Sequence, residues 1–199
     1  MKIIGLTGRS GCGKSTVAKR FRECGFRVAD ADLAARQALM PGSACIPLLQ
    51  QEFGQDILDE TGAVRRRLLA DRAFNQPNGS QTLIRITHAE IVRLLLEEAK
   101  EAELAGEKLF FVDGAVIVGA PFEKYCDAIV VITASIEESI RRICARDNIS
   151  PQSAKARLDS QISEQTLREA SIYEIRNDSG LSELLQNAER VLEQLKGGV

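Results

Sequence analysis

Gly8-Arg9-Ser10-Gly11-Cys12-Gly13-Lys14-Ser15-Thr16 is the stretch on which the fold of this chain turns. It satisfies G-x-x-x-x-G-K-[ST]. It also stands where that pattern has physical meaning, after a short apolar, β-favouring run, Lys2-Ile3-Ile4-Gly5-Leu6-Thr7, and before a segment of helical character, Lys14 to Cys24. Glycines such as Gly8, Gly11 and Gly13 let the backbone wrap an anion, so that successive N–H groups and the positive helix end point at it. Lys14 adds a cation, and Ser15 a hydroxyl suited to Mg²⁺. Cys12 lies inside the turn, where a small residue that merely fits is its simplest reading. The stretch predicts that the chain binds a nucleoside triphosphate.

Outward from this turn the pattern is that of a parallel sheet. Phe26-Arg27-Val28-Ala29 reads as a second strand ending at Asp30-Ala31-Asp32, which puts two acids at or just beyond a strand's carboxyl end, the edge where open α/β sheets bind ligands. On an extended backbone Asp30 and Asp32 share a face. At a strand-to-helix turn one faces the phosphates and the other caps the helix. Phosphoryl transfer needs an acid that orients or accepts the proton of the incoming hydroxyl, and Asp32 is the candidate, with a pair of plain helix-capping acids as the alternative. Leu109-Phe110-Phe111-Val112-Asp113 and Ala128-Ile129-Val130-Val131-Ile132-Thr133 are continuous apolar runs of the kind a strand buried on both faces requires. Asp113 is a candidate Mg²⁺ ligand acting through water.

Between the second and third strands lies a helical stretch broken near Pro41-Gly42, at Glu60-Thr61-Gly62 and around Pro77-Asn78-Gly79. It is too long for a plain crossover and predicts a helical insertion lobe at about 32–106. Ser135 to Arg146 reads as a helix with Ser135 as N-cap and Glu138 completing a capping box. Ser150-Pro151 restarts a helix towards Gln165, giving a charged hairpin at about 135–169 that suits a lid. Arg142 and Arg146 share one face of the first hairpin helix, so both could reach over a triphosphate; a solvated basic face explains them equally well. Arg65-Arg66-Arg67 and the single His88 read as solvated and packed residues unless the acceptor is anionic. A last strand near Ile172 to Ile175 and a helix carrying Leu184, Ala188, Val191, Leu192 and Leu195 at helical spacing complete the core segments 1–31, 107–134 and 170–199, with a frayed Gly197-Gly198-Val199 tail.

Composition narrows the remaining choices. With 26 basic against 28 acidic side chains and a net charge of −2, no strongly basic nucleic-acid surface is implied. At 199 residues and 44% hydrophobic, the chain is expected to bury one core with an inserted lobe. No apolar run reaches the roughly 20 residues of a membrane helix. The chain opens on a strand pattern instead of a signal peptide, so a cytoplasmic location is expected. Five scattered cysteines without a C-x-x-C pair argue against a disulfide framework or zinc site. Oligomeric state is left open.

Taken together, these motifs resemble the bacterial dephospho-CoA kinases over nearly the whole length. The resemblance is carried by Gly5-Leu6-Thr7-Gly8 through Lys14-Ser15-Thr16, Val28 to Asp32 with Ala35-Arg36, Pro41-Gly42, Phe53-Gly54, Gly62 with Arg66 and Leu69, Phe74, His88 with Ile91, Arg142 with Arg146, Gln161 and Asn177. It implies a P-loop kinase, a three-layer α/β/α fold with a parallel sheet, a helical lobe that binds the CoA side and a helical lid. The implied reaction moves the γ-phosphate of ATP, with Mg²⁺, to the ribose 3′-hydroxyl of dephospho-CoA, a small-molecule substrate. By that similarity Asp32 is the base or orienting acid, Lys14 the phosphate clamp, Ser15 a Mg²⁺ ligand and Arg142 the lid cation. Cys12, Thr16, Arg146 and Asn177 lie on the nucleotide side, and Arg36, Arg66 and His88 on the acceptor side.

The chain departs from the family pattern in places. Asp-x-Pro-Leu-Leu-x-Glu is replaced by Asp113-Gly114-Ala115-Val116-Ile117-Val118-Gly119, which keeps the first acid and loses the proline and the glutamate. Ala89 follows His88 where proline is usual, Ser171-Ile172 stands for Ala-Asp, and Arg9 occupies a position that is frequently glycine. Two alternatives therefore stand beside the main reading: a kinase of another small hydroxylated metabolite, and a non-catalytic nucleotide-binding protein. The absence of an Asn-Lys-x-Asp segment argues against a GTPase switch.

Overall fold

The structure is a computed structural model and describes residues 1–197. Two compact units divide the chain: Met1–Ala29 with Ala99–Val199, and Asp30–Glu98.

The first unit is built on a sheet whose strands are β1 (Lys2–Thr7), β2 (Val28–Asp30), β3 (Leu109–Asp113), β4 (Ala128–Thr133) and β5 (Tyr173–Arg176), in the order β2-β3-β1-β4-β5. β1 pairs in parallel with both β3 and β4, and β4 in parallel with β5. The unbroken apolar runs follow from this placement, because β3 is buried at every position before Asp113 and β4 from Ile129 onward. β2 begins two residues later than the sequence suggests, although the Arg27 carbonyl still accepts the Phe111 N–H at 3.0 Å. Helices α1 (Lys14–Glu23) and α9 (Leu181–Gly197) share one core with alternate residues of the strands. Val17, Phe21, Leu184, Ala188, Val191 and Leu192 pack there with Ile4, Leu6, Val130 and Ile132. Phe21 lies 4.7 Å from Phe111, ring centre to ring centre. In the expected frayed tail, Gly197 closes α9, while Gly198 and Val199 lie outside the described residues.

Register fixes the functional edge. Leu6 is paired with Asp113, so β1 and β3 end within one residue of each other; Thr133 is paired with Arg176, so β4 and β5 end together, two residues beyond the Thr7–Val131 pair. Beyond β4, Ser135 caps α6 (Ile136–Asp147), its hydroxyl accepting the Glu138 N–H at 3.3 Å. Only half of the expected capping box forms: the Ser135 N–H goes to Asp178 at 2.8 Å, and the Glu138 carboxylate turns to Arg141 at 2.6 Å. The hairpin's second arm is also shorter than its sequence suggests. It is two helices, α7 (Pro151–Asp159) and α8 (Glu164–Glu169), with Ser163 capping the second through the Thr166 N–H at 3.0 Å.

The second unit is helical: α2 (Ala31–Gln37), α3 (Ile46–Phe53), a 3₁₀ turn at Gln55–Ile57, α4 (Arg66–Asn75) and most of α5 (Gly79–Leu104). Its breaks fall at the expected Pro41-Gly42, Glu60-Thr61-Gly62 and Pro77-Asn78 positions. Leu49, Phe53, Ile57, Leu69, Ala73 and Ile86 form its core, and Arg72 ties α4 to the turn through Asp56 at 2.5 Å. Among the described residues no helix is long and apolar enough to cross a membrane.

Candidate active site

The glycine turn leaves β1 at the carboxyl edge of the sheet and feeds α1. Gly13 is the N-cap of that helix at φ 100°, a backbone state that L side chains rarely adopt, and a methyl group there would meet Asn177 Nδ2 at 2.3 Å. Gly11, at φ 80°, is as tightly enclosed: a methyl group would lie 2.6 Å from the Ser139 carbonyl. The motif's glycines are thus demanded by the segments packed against the turn, as well as by its own curvature.

Those segments come from β5 and the hairpin. Asn177, buried just after β5, donates from Nδ2 to the Cys12 carbonyl at 2.7 Å. The Arg142 guanidinium reaches back from α6 to the Gly11 carbonyl at 3.3 Å, to the Asn177 carbonyl at 3.1 Å and to its Oδ1 at 3.3 Å. Gln161, in the break between α7 and α8, accepts the Ser10 N–H at 3.0 Å and donates to the Ser10 hydroxyl at 2.8 Å. Arg9 donates to the Leu158 carbonyl. Carbonyls and side chains of the protein therefore hold the turn open from outside.

Lys14 is the charged centre of this arrangement. Its ammonium forms an ion pair with Asp113, both side chains being less than one-fifth exposed. Because Lys14 opens α1 and Asp113 ends β3, the pair ties the start of the helix to a strand end. Ser15 is exposed and Thr16 half-buried in the first turn of α1. Cys12 is buried, and burial pushes its thiol up to about 11, so it is an unreactive packing residue at neutral pH. Arg146 is turned away onto Asp147 at 2.7 Å; the Arg146 guanidinium, with Arg157 on the same carboxylate, holds Asp147 down at about 2. Of the two hairpin arginines, Arg142 contacts the turn and Arg146 is engaged elsewhere.

The loop after Asp113, where the chain departs from the family pattern, keeps its shape by other means. Ile117 is fully buried, and the Gly119 N–H donates to the Glu123 carboxylate at 2.7 Å, so a carboxylate from further along the chain closes the loop. Val116 and Val118 line a cavity of about 230 Å³ with Gly8, Gln161, Ile162 and Leu167.

In the helical unit, Asp30 is the N-cap of α2, accepting from the Asp32 N–H at 2.8 Å and the Leu33 N–H at 3.0 Å. Asp32 stands in the first turn of α2, exposed, and its carboxylate makes no hydrogen bond or ion pair among the described residues. Of the two roles the sequence offers these acids, Asp30 takes the cap and leaves the Asp32 carboxylate available. Arg36 in the last turn of α2 and Arg66 at the start of α4 are exposed and equally unpaired, and His88 is half-buried on α5.

Residues 2–183 match the dephospho-CoA kinase family. The dephospho-CoA kinase of Staphylococcus aureus is 37% identical over 193 residues, covering 97% of this chain and 93% of that protein. This chain belongs to the dephospho-CoA kinase family. A dephospho-CoA kinase of Corynebacterium glutamicum is 32% identical over 195 residues, 98% of this chain and all of the relative. Among solved structures, the dephospho-CoA kinase from Campylobacter jejuni superposes with a TM-score of 0.72 at 26% identity, over the full length of both chains. The protein is therefore a kinase of α/β fold that uses a nucleotide and acts on a small molecule.

Two contributors to the turn escape the motif, Arg9 and Ser10, which fill variable positions, and at the start of α6 Asp178 takes the Ser135 N–H. Gln161 matches the family, but nothing in its neighbourhood announces that it meets Ser10. Each contact joins residues far apart in the chain, and a local pattern carries no trace of it.

Proposed function

We propose that this dephospho-CoA kinase transfers the γ-phosphoryl group of ATP to the ribose 3′-hydroxyl of dephospho-CoA, giving coenzyme A and ADP, with the roles of its residues divided as follows. The glycine turn from Gly8 to Gly13 directs its N–H groups and the start of α1 at the nucleotide phosphates, with Thr16 in the first helical turn. Lys14 leaves Asp113 for the β- and γ-phosphate oxygens. Arg142, seated on the Gly11 carbonyl, neutralises charge that develops as the γ-phosphorus separates from the bridging oxygen. Asn177 fixes both the turn and Arg142. Asp32 orients the 3′-hydroxyl and accepts its proton as that oxygen bonds to phosphorus and ADP departs. Arg36, Arg66 and His88 offer the helical unit's cationic and hydrogen-bonding groups to the acceptor, whose diphosphate suits unpaired guanidinium groups. Arg146 would join the nucleotide only by exchanging Asp147 for phosphate.

The donor set suits Mg²⁺. Ser15 and Asp113 supply oxygen atoms alone, and the described residues hold no cluster of three carboxylate, histidine or cysteine groups that would make an all-protein cage. That is the partial coordination expected of an ion completed by phosphate oxygens and water. Ser15 and Asp113 would hold the ion, which would supply positive charge against the phosphates.

The observation that carries the proposal is the Lys14–Asp113 pair at the strand ends beside Arg142 on the Gly11 carbonyl: two cations poised at one glycine turn. Identifying the products after incubation with ATP, Mg²⁺ and dephospho-CoA tests it. Coenzyme A and ADP in equal amounts are expected; ATP binding without a phosphorylated product would refute the assignment.

A further inference from the structure

Arg9 fills a variable position of the glycine turn, and nothing in the motif asks for a cation there. Its guanidinium donates to the Leu158 carbonyl in the last turn of α7. That carbonyl also accepts the Gln161 N–H at 3.1 Å, so Arg9 is its second donor, placed at the negative end of the helix dipole where a guanidinium is a charge-matched cap. The Arg9 Nε is buried with no partner, so the side chain keeps this place although one of its donors goes unsatisfied. Leu158 itself packs with Ile143 of α6 and Ala154 of α7 in the small core that makes the hairpin one body. Arg142, the neighbour of Ile143, leaves the same hairpin for the Gly11 carbonyl. The turn therefore grips the hairpin at both ends: Arg9 with α7, and Gly11 with α6, with the Ser10–Gln161 pair just beyond α7.

We propose that Arg9 is a positioning residue for phosphoryl transfer, which caps α7 and so holds the α6–α7 hairpin where Arg142 is seated at the glycine turn. The inference rests on the reading of Arg142 as the cation over the transferring phosphate. It goes beyond that reading in assigning a function to a side chain where the family frequently has none.

Steady-state kinetics of the full chain with ATP and dephospho-CoA, for R9A, R9Q, R142A and R9A/R142A, test it. R9A lowers kcat about 10-fold, the loss expected for a charge-assisted hydrogen bond, while KM for dephospho-CoA moves less than about 2-fold. R9Q, whose amide still donates to the Leu158 carbonyl, recovers to within about 3-fold of the parent and keeps the test open should R9A fold poorly. Because Arg9 acts through Arg142, R9A costs less than about 2-fold once Arg142 is absent. An impaired R142A beside an unimpaired R9A would overturn this inference alone, as would an R9A loss of the same size in both backgrounds or an R9Q as slow as R9A. A fully active R142A would remove Arg142 from the mechanism and this inference with it.

Discussion

Lys14 is largely buried and already paired with Asp113, whereas the Asp32 carboxylate is exposed and has no partner among the described residues. The same contrast separates Arg142, held by the Gly11 and Asn177 carbonyls, from Arg36 and Arg66, which have no partner there. On the sheet unit the protein's own oxygens occupy the Lys14 and Arg142 cations, so under the proposed function nucleotide binding would be an exchange of partners and these side chains would serve fold and function together. On the helical unit the Asp32, Arg36 and Arg66 side chains are left to solvent, and under the proposed function their worth would be realised only when an acceptor arrives. Substitutions in the first set should disturb stability and turnover together; in the second, turnover or acceptor affinity alone.

Lys14→Ala is the severest case on the sheet side. Removing a cation aimed at developing charge costs about 10²–10³-fold in kcat/KM. Leaving the Asp113 carboxylate buried and unpaired costs a further 1–3 kcal/mol or so of stability. Kinetics combined with urea unfolding read both, and an undisturbed unfolding midpoint would break the claim that the pair serves the fold. Thiol labelling separates buried from exposed groups without any substitution. With Cys12 pushed up to about 11, about one thiol in a thousand is ionised at pH 8, and the group is enclosed; exposed Cys24 should react at least ~100-fold faster with iodoacetamide, by mass spectrometry of the digested peptides.

On the helical side, Arg66→Ala should raise KM for dephospho-CoA about 10-fold, the cost of one charge-assisted bond, and leave the melting temperature unchanged. A lowered melting temperature with unaltered KM would reverse the contrast at that residue. The smallest difference is between two glycines of the sheet unit. Gly25→Ala, at φ 89° with nothing within 4 Å of the added methyl, carries only the left-handed backbone penalty of about 1–2 kcal/mol. Gly13→Ala adds a 2.3 Å encounter with Asn177 Nδ2 and should lose at least about 1 kcal/mol more.

The sequence made the glycine turn, the strands and the helical insertion legible because each is a local pattern: a motif between strand and helix, apolar runs, and breaks at Pro-Gly and Asn-Gly. Legibility ended where a distant residue decides. Ser135 and Glu138 have the spacing of a reciprocal cap, yet Asp178 takes the Ser135 N–H and Glu138 pairs with Arg141. The pause between α7 and α8 carries neither glycine nor proline; it follows from Ser163 starting a new helix and from Gln161 being drawn to Ser10. Asp30 and Asp32 could each have been the cap, and only the backbone path of α2 separates them. Arg142 and Arg146 share a helical face, but a neighbouring acid claims the second.

Asp32→Asn tests the central division of labour most directly, because it removes the proton-accepting carboxylate and its charge but almost no volume. In a single-turnover experiment with ATP, Mg²⁺ and dephospho-CoA, the affinity for ATP should stay within about 2-fold. The rate of phosphoryl transfer should fall by about 10²–10⁴-fold, the range of general-base catalysis. Transfer at the parent rate, or a loss confined to ATP affinity, would contradict the account.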